Sequence, residues 1–229
     1  MPFCHEYKFI FYHIPRCAGT SVEQYFNLCN IRHGYGVVHN DDQIITLHHL
    51  TPHDMLTAGL VDDDVFHSYF KFTIIRDPFD RLVSDYLWQK THDRHGEFHD
   101  LSFLTYLDKA EQIIREGRYF EKVHYDHFRP MIEYCFRDGQ LMVDDILLLH
   151  NIDQGLERVK DRIGSVQLHR INASPDDIPF LDNLENRKRV YDIYAHDKLF
   201  FDRILEVDQA PDTESARVDR PALRRKHCL

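Results

Sequence analysis

The sequence predicts an α/β protein with a parallel β-sheet flanked by helices in a single domain. Three observations lead there. Short, wholly apolar runs alternate along the chain with segments of helical periodicity, the pattern of strands joined by crossover helices. The first apolar run, in Phe9-Ile-Phe-Tyr-His-Ile-Pro-Arg-Cys-Ala-Gly-Thr-Ser-Val22, feeds a short Pro/Gly loop that opens directly onto a helix. A second β-prone run ends at Arg76-Asp-Pro, where an amphipathic helix begins. Chain ends of this kind gather at the carboxyl edge of an open sheet, where such folds bind ligands.

Element by element, Lys8–His13 reads as a buried first strand and Thr20–Leu28 as the helix after it. Residues Ile44–His49 alternate weakly and predict a second strand. Helix Pro52–Leu60 follows, with Thr51 as N-cap and Pro52 at the first helical position. Phe70–Ile75 is the next strand. Beyond it Phe79, Leu82, Val83, Tyr86 and Leu87 recur at i, i+3, i+4, i+7 and i+8, the apolar stripe of a helix. Residues 103–116 repeat that period. Ile146–Leu149 is apolar throughout and predicts a central parallel strand. Asp153–Ile163 and Arg187–Leu205 read as later helices. The domain is expected to span residues 1–205, with a polar, partly basic tail over 206–229.

The chain has 229 residues, enough for one domain with a substantial core, and 43% of them are hydrophobic. Its formal net charge of −10 argues against general nucleic-acid binding, which shows a basic footprint. No apolar run reaches the length of a membrane span. The N-terminal Met1-Pro-Phe-Cys-His-Glu6 lacks the basic and apolar stretches of a signal peptide. The five cysteines, Cys4, Cys17, Cys29, Cys135 and Cys228, are odd in number and contain no C-x-x-C pair, which predicts reduced thiols and a cytoplasmic location.

The loop at 14–21 carries the chemistry. Backbone N–H groups at the start of a helix, the hydroxyls of Thr20 and Ser21, and the fixed charge of Arg16 together suit a phosphate or sulfate group. The arrangement is P-loop-like without being a Walker A motif. Ile14 stands where the first glycine belongs, Thr20 holds the lysine position, and the cation has moved back to Arg16. Phosphoryl transfer usually needs that lysine and Mg²⁺. A sulfuryl group carries less charge and can manage with one cation. A second anion site is expected at Phe72-Thr-Ile-Ile-Arg-Asp-Pro-Phe-Asp-Arg-Leu-Val-Ser-Asp-Tyr86, where Arg76 and Ser84 can share a phosphate if the helix brings them together. The plainer alternative makes Arg76, Asp77, Asp80 and Arg81 surface ion pairs.

Together the two segments resemble the carbohydrate sulfotransferases. Residues Phe11–Ser21 are similar to that family's 5′-phosphosulfate loop, H-I-P-K-T-[AG]-G-T-S, and residues Phe72–Tyr86 to its 3′-phosphate motif, F-x-x-V-R-[DN]-P-x-x-R-L-V-S-x-Y. His127-Phe-Arg-Pro130 is similar to an H-[WF]-x-P element, and Asn172-Ala-Ser174 and Tyr191–Phe201 fit the closing segments more loosely. The resemblance spans roughly residues 8–205 and implies the sulfotransferase fold. It also implies the donor 3′-phosphoadenosine 5′-phosphosulfate (PAPS), with 3′-phosphoadenosine 5′-phosphate (PAP) as product and no metal requirement. On this basis Arg16, Cys17, Ala18, Gly19, Thr20 and Ser21 hold the 5′-phosphosulfate, and Arg76 and Ser84 the 3′-phosphate. Arg16 replaces the family lysine and Cys17 its threonine. Beside Arg16 at a helix start, Cys17 is expected to favour the thiolate.

The resemblance also places a histidine at the position of His49, which is expected to act as general base toward an acceptor hydroxyl. His48, on the opposite face if both lie in a strand, and His127 are weaker candidates for contact with substrate. His92, His95 and His99, or His124 with His127, lack the companions of a zinc site. The acceptor is expected to be a carbohydrate or glycosylated small molecule, with no nucleic-acid partner. Two other readings stay open: a P-loop small-molecule kinase using Asp144 or Asp145 for Mg²⁺, and a non-catalytic nucleotide-binding domain.

Overall fold

A computed structural model of the chain describes residues 3–28, 36–40, 42–92, 96–168 and 181–209. Cys29, His95, Asn172–Ser174 and the basic tail therefore lie outside the described residues.

The main sheet has four strands in the order β1-β2-β5-β8: β1 (Phe3–Cys4), β2 (Phe9–Tyr12), β5 (Phe70–Ile75) and β8 (Asp145–Leu148). β1 runs antiparallel to β2, while β2, β5 and β8 are parallel. Every residue of β2 is buried, as is nearly all of β5, because a parallel sheet is covered on both faces. Register pairs Tyr12 with Thr73, and the Thr73 hydroxyl donates to the Tyr12 carbonyl at 2.7 Å. The chain thus leaves β2 and β5 side by side at one edge. Two segments about 60 residues apart in sequence are made neighbours by this pairing alone.

Helix α1 (Gly19–Tyr25) follows β2, and α2 (Pro52–Thr57) and α3 (Asp63–Ser68) precede β5. The expected cap of α2 is present as a full capping box: Thr51 accepts from the Asp54 amide, and Asp54 accepts from the Thr51 amide. Helix α4 (Pro78–His92) starts after Asp77, whose carboxylate accepts from the Phe79 amide at 2.9 Å. Helices α5 (Phe103–Glu116), α6 (Ile132–Cys135), α7 (Ile152–Ile163), α8 (Leu184–Ile193) and α9 (Ala195–Gln209) complete the described helices. One apolar cluster fills the sheet faces around Phe9, Phe11, Phe72, Ile74 and Leu147. A second joins α4, α5 and α8 through Leu82, Tyr106, Leu107 and Val190. None of the helices described is long and apolar enough to cross a membrane.

Five expectations need correction. The strand expected over 44–49 is β4 (Gln43–Thr46), which pairs only with β3 (Val37–Asn40) in a separate hairpin; the chain then coils into a 3₁₀ turn, Leu47–His49. β8 is an edge strand of the described sheet rather than central; α7 covers it, with Gly155 close against Leu147. The first helix ends at Tyr25, short of Leu28, and α2 ends at Thr57, short of Leu60. The helix expected over 187–205 is two, because Tyr194 leaves helical geometry and its hydroxyl anchors on the Phe128 carbonyl at 2.9 Å. A small hairpin of β6 (Phe136–Arg137) and β7 (Gln140–Leu141) was not anticipated.

Candidate active site

The loop after β2 is held in an unusual backbone shape. Arg16 and Ala18 both adopt positive φ, 66° and 63°, with Cys17 between them. Left-handed residues alternating in this way turn successive N–H groups into one concavity, the nest that binds anions. The Cys17 amide closes a turn on the Ile14 carbonyl, and the Ser21 amide bonds to Ala18. The amides of Ala18, Gly19 and Thr20 find no acceptor among the described residues. Gly19 is required by space: a Cβ there would lie 1.9 Å from His13 Cδ2. The His13 ring fills that space, fixed by a 2.7 Å hydrogen bond between Nδ1 and the fully buried Glu23 on α1.

Cations from β5 and α4 converge on the loop. Arg16 donates from Nε and Nη2 to Ser84 Oγ at 3.2 and 3.1 Å, and its guanidinium lies over the Trp88 ring. Burial draws its pKa down, a pull that the Asp85 carboxylate opposes. Arg76, half-buried at the end of β5, makes no hydrogen bond or ion pair among the described residues, yet its charge is felt at Arg16 and Cys17. The two anion-site candidates therefore form one positively charged edge. Ser84 sits within it, bound to Arg16. Arg81, which a surface reading would expose, is 3% exposed. It donates to the carbonyls of Pro15, His127 and Arg129, and so ties the loop to the 3₁₀ turn Tyr125–Phe128.

Histidines face this edge from three elements. The ring centroids of His13 and His49 are 4.7 Å apart, those of His48 and His49 are 4.2 Å apart, and those of His49 and His127 are 5.2 Å apart. His49 Nδ1 bonds to Asp126 at 2.6 Å, and His127 Nδ1 to Asp85 at 2.6 Å. These bonds fix each ring and leave Nε2 of His49 with its lone pair when Nδ1–H donates. Burial, then the neighbouring His13 and His127, pull the His49 pKa well below the usual value. Burial, then the neighbouring His49 and His13, lower the His48 pKa as well. His127 goes the other way: burial works against its charge, but Asp85 outweighs it and raises the pKa. Asp85, despite burial, is held down to about 2 by His127, Tyr106 and Arg16. Burial thus favours the neutral form of His49, while Asp85 favours the charged form of His127.

The structure also revises individual residues. Cys17 is 1% exposed, and burial pushes its thiol up to about 11, so it is a protonated core group and not a thiolate. His48 and His49 share a 3₁₀ turn and touch, so the expectation that they point to opposite faces of a strand fails. Among the described residues, two sets gather metal-ligand atoms: His13, His48 and His49, and His49, Asp126 and His127. Asp144 and Asp145 lie at the start of β8, where Asp145 is level with Phe72, and are engaged by Lys71 and Arg158. Sequence reasoning missed Glu23, Asp85, Asp126 and Arg81. The one local signal was the phase of α4: Arg81, Ser84 and Asp85 fall at i, i+3 and i+4, on the stripe that also carries Trp88.

A family model described as the sulfotransferase family matches residues 1–202. No curated protein and no solved structure matches the chain.

Proposed function

The chain belongs to the sulfotransferase family and is accordingly a transferase of sulfuryl groups; from that premise we propose that its donor is PAPS and that His49 deprotonates the acceptor hydroxyl. The observation that carries the reading is the convergence of the 16–20 nest, Arg16 and Arg76, which pairs with none of the described residues, on one sheet edge beside a carboxylate-anchored histidine.

The residues suit the donor. When bound, PAPS supplies a sulfuryl group whose bond to the 5′-phosphate oxygen breaks as the acceptor oxygen attacks sulfur. The amides of Ala18, Gly19 and Thr20 offer donors to the 5′-phosphate side. Arg16, desolvated and steered by Ser84 and Trp88, offers its guanidinium where negative charge grows on the departing oxygen. Arg76 supplies the cation for the 3′-phosphate. His49 accepts the acceptor's proton at Nε2, and Asp126 stabilises the imidazolium that results. The family resemblance favours a carbohydrate acceptor.

The kinase alternative is disfavoured by position. Its candidate Mg²⁺ carboxylates, Asp144 and Asp145, start β8 and already pair with Lys71 and Arg158.

The test is a comparison of two donors with the Arg76→Ala variant. Losing one charge-assisted phosphate contact costs about 1.5–3 kcal/mol, so PAPS affinity should fall roughly 10- to 150-fold. Affinity for adenosine 5′-phosphosulfate, which lacks the 3′-phosphate, should hold. An unchanged PAPS affinity contradicts the assignment.

A further inference from the structure

We propose that His13, His48 and His49 form a binding site for one divalent transition-metal ion of the zinc class. The ligand atoms these three residues offer all lie within 4.8 Å of one another. Their rings touch pairwise, with centroids 4.2, 4.7 and 5.4 Å apart. Tetrahedral zinc with nitrogen at about 2.0–2.1 Å needs ligand nitrogens about 3.3 Å apart, so the rings close by roughly 1.5 Å on binding. Rotation of half-buried His48 on its 3₁₀ turn supplies much of that movement.

The surroundings are those of a ligand set. A metal-bound imidazole commonly gives its other nitrogen to a carboxylate, which orients the ring and raises its basicity. Two of the three rings have this partner, His13 with Glu23 at 2.7 Å and His49 with Asp126 at 2.6 Å. Each dyad alone is what any satisfied buried histidine shows. Three imidazoles in mutual contact, two of them backed by carboxylates, are not. The two carboxylates behind the rings also match the charge of a divalent ion. An all-imidazole set selects Zn²⁺, Cu²⁺, Ni²⁺ or Co²⁺ over Mg²⁺ and Ca²⁺. The fourth coordination position is left for water or a substrate hydroxyl.

An ion on His49 occupies the lone pair that takes the acceptor's proton, so the metal inhibits transfer. That consequence rests on the reading of His49 as base; the site itself does not. The experiment uses the full chain without an affinity tag. Metal-free protein is dialysed against Zn²⁺ to count bound ion, and is titrated with Co²⁺ while visible absorption is followed. The expected result is one equivalent of Zn²⁺ and the absorption bands of four-coordinate Co²⁺. Both should weaken at least about tenfold in His48→Ala and about 10- to 100-fold in Glu23→Gln. His92→Ala, an exposed histidine on α4, serves as the control and should bind as wild type does. The proposal is overturned if no stoichiometric ion binds, or if both variants bind as tightly as wild type. In metal-free protein, transfer that survives His49→Ala would remove the base assignment and leave the metal site standing.

Discussion

Replacing Asp126 by alanine isolates the proton-transfer step from donor binding. Asp126 and His49 share a 2.6 Å bond, and their side chains are only 5% and 8% exposed. As His49 takes a proton it becomes a buried cation beside His13 and His127, with Asp126 as its bonded counter-charge. A hydrogen bond to a charged group contributes about 1.5–3 kcal/mol, and each 1.36 kcal/mol is about tenfold in rate, so kcat/KM should fall roughly 10- to 150-fold. Asp126→Asn keeps an acceptor oxygen without the charge and should fall between. The assay is acceptor-dependent release of PAP, with PAP affinity measured separately by calorimetry. Because Arg16, Arg76 and the loop amides are untouched, that affinity should stay within about twofold of wild type. A variant that retains full kcat/KM, or loses PAP affinity as much as rate, refutes the assignment.

Gly19→Ala would drive a methyl into the His13 ring, and overpacking of this kind costs about 1–3 kcal/mol. A lowered Tm together with weakened PAP binding is expected; a variant with wild-type Tm contradicts the packing described. Arg81→Met strands three carbonyls, those of Pro15, His127 and Arg129, and should lower the unfolding free energy by about 3 kcal/mol or more in urea titrations. His49 must be neutral to accept a proton, and its pKa is pulled well below the usual value, so kcat/KM should show no acid limb between about pH 6 and 8. A decline setting in near pH 6.5 argues against His49. For stability, Asp85's depressed carboxyl contributes above its unfolded pKa of 3.8, and that contribution is lost as pH falls toward about 2. His127's raised pKa contributes fully below 6.5, and that contribution is lost as pH rises through its folded value. The gap in unfolding free energy between wild type and His127→Gln should therefore be widest near about pH 5.5, which urea titrations across pH will check.

The strands and the loop were legible because their signals are local. Phe9–Tyr12 and Phe70–Ile75 are β-prone runs, and a Pro, a Gly and paired hydroxyls mark the turn from β2 into the start of α1. What stayed hidden depends on distant partners. Nothing near Asp126 announces a bond to His49, 77 residues away, and nothing near Asp85 announces His127. Glu23 reads as a solvent-facing helix residue until His13 fills the space beside Gly19. His48 and His49 were misassigned in orientation because a 3₁₀ turn abolishes the two-residue alternation of a strand. Cys17 went wrong for another reason. The neighbouring charge of Arg16 is real, but complete burial outweighs it.

Whether a PAPS-type donor is held without Mg²⁺ is decided by calorimetric titration of the full chain with PAP, alongside ADP with Mg²⁺. PAP should bind in the absence of metal, and ADP with Mg²⁺ should not. Binding of ADP with Mg²⁺ in preference to PAP would contradict the PAPS assignment and move the phosphate-binding loop to kinase chemistry.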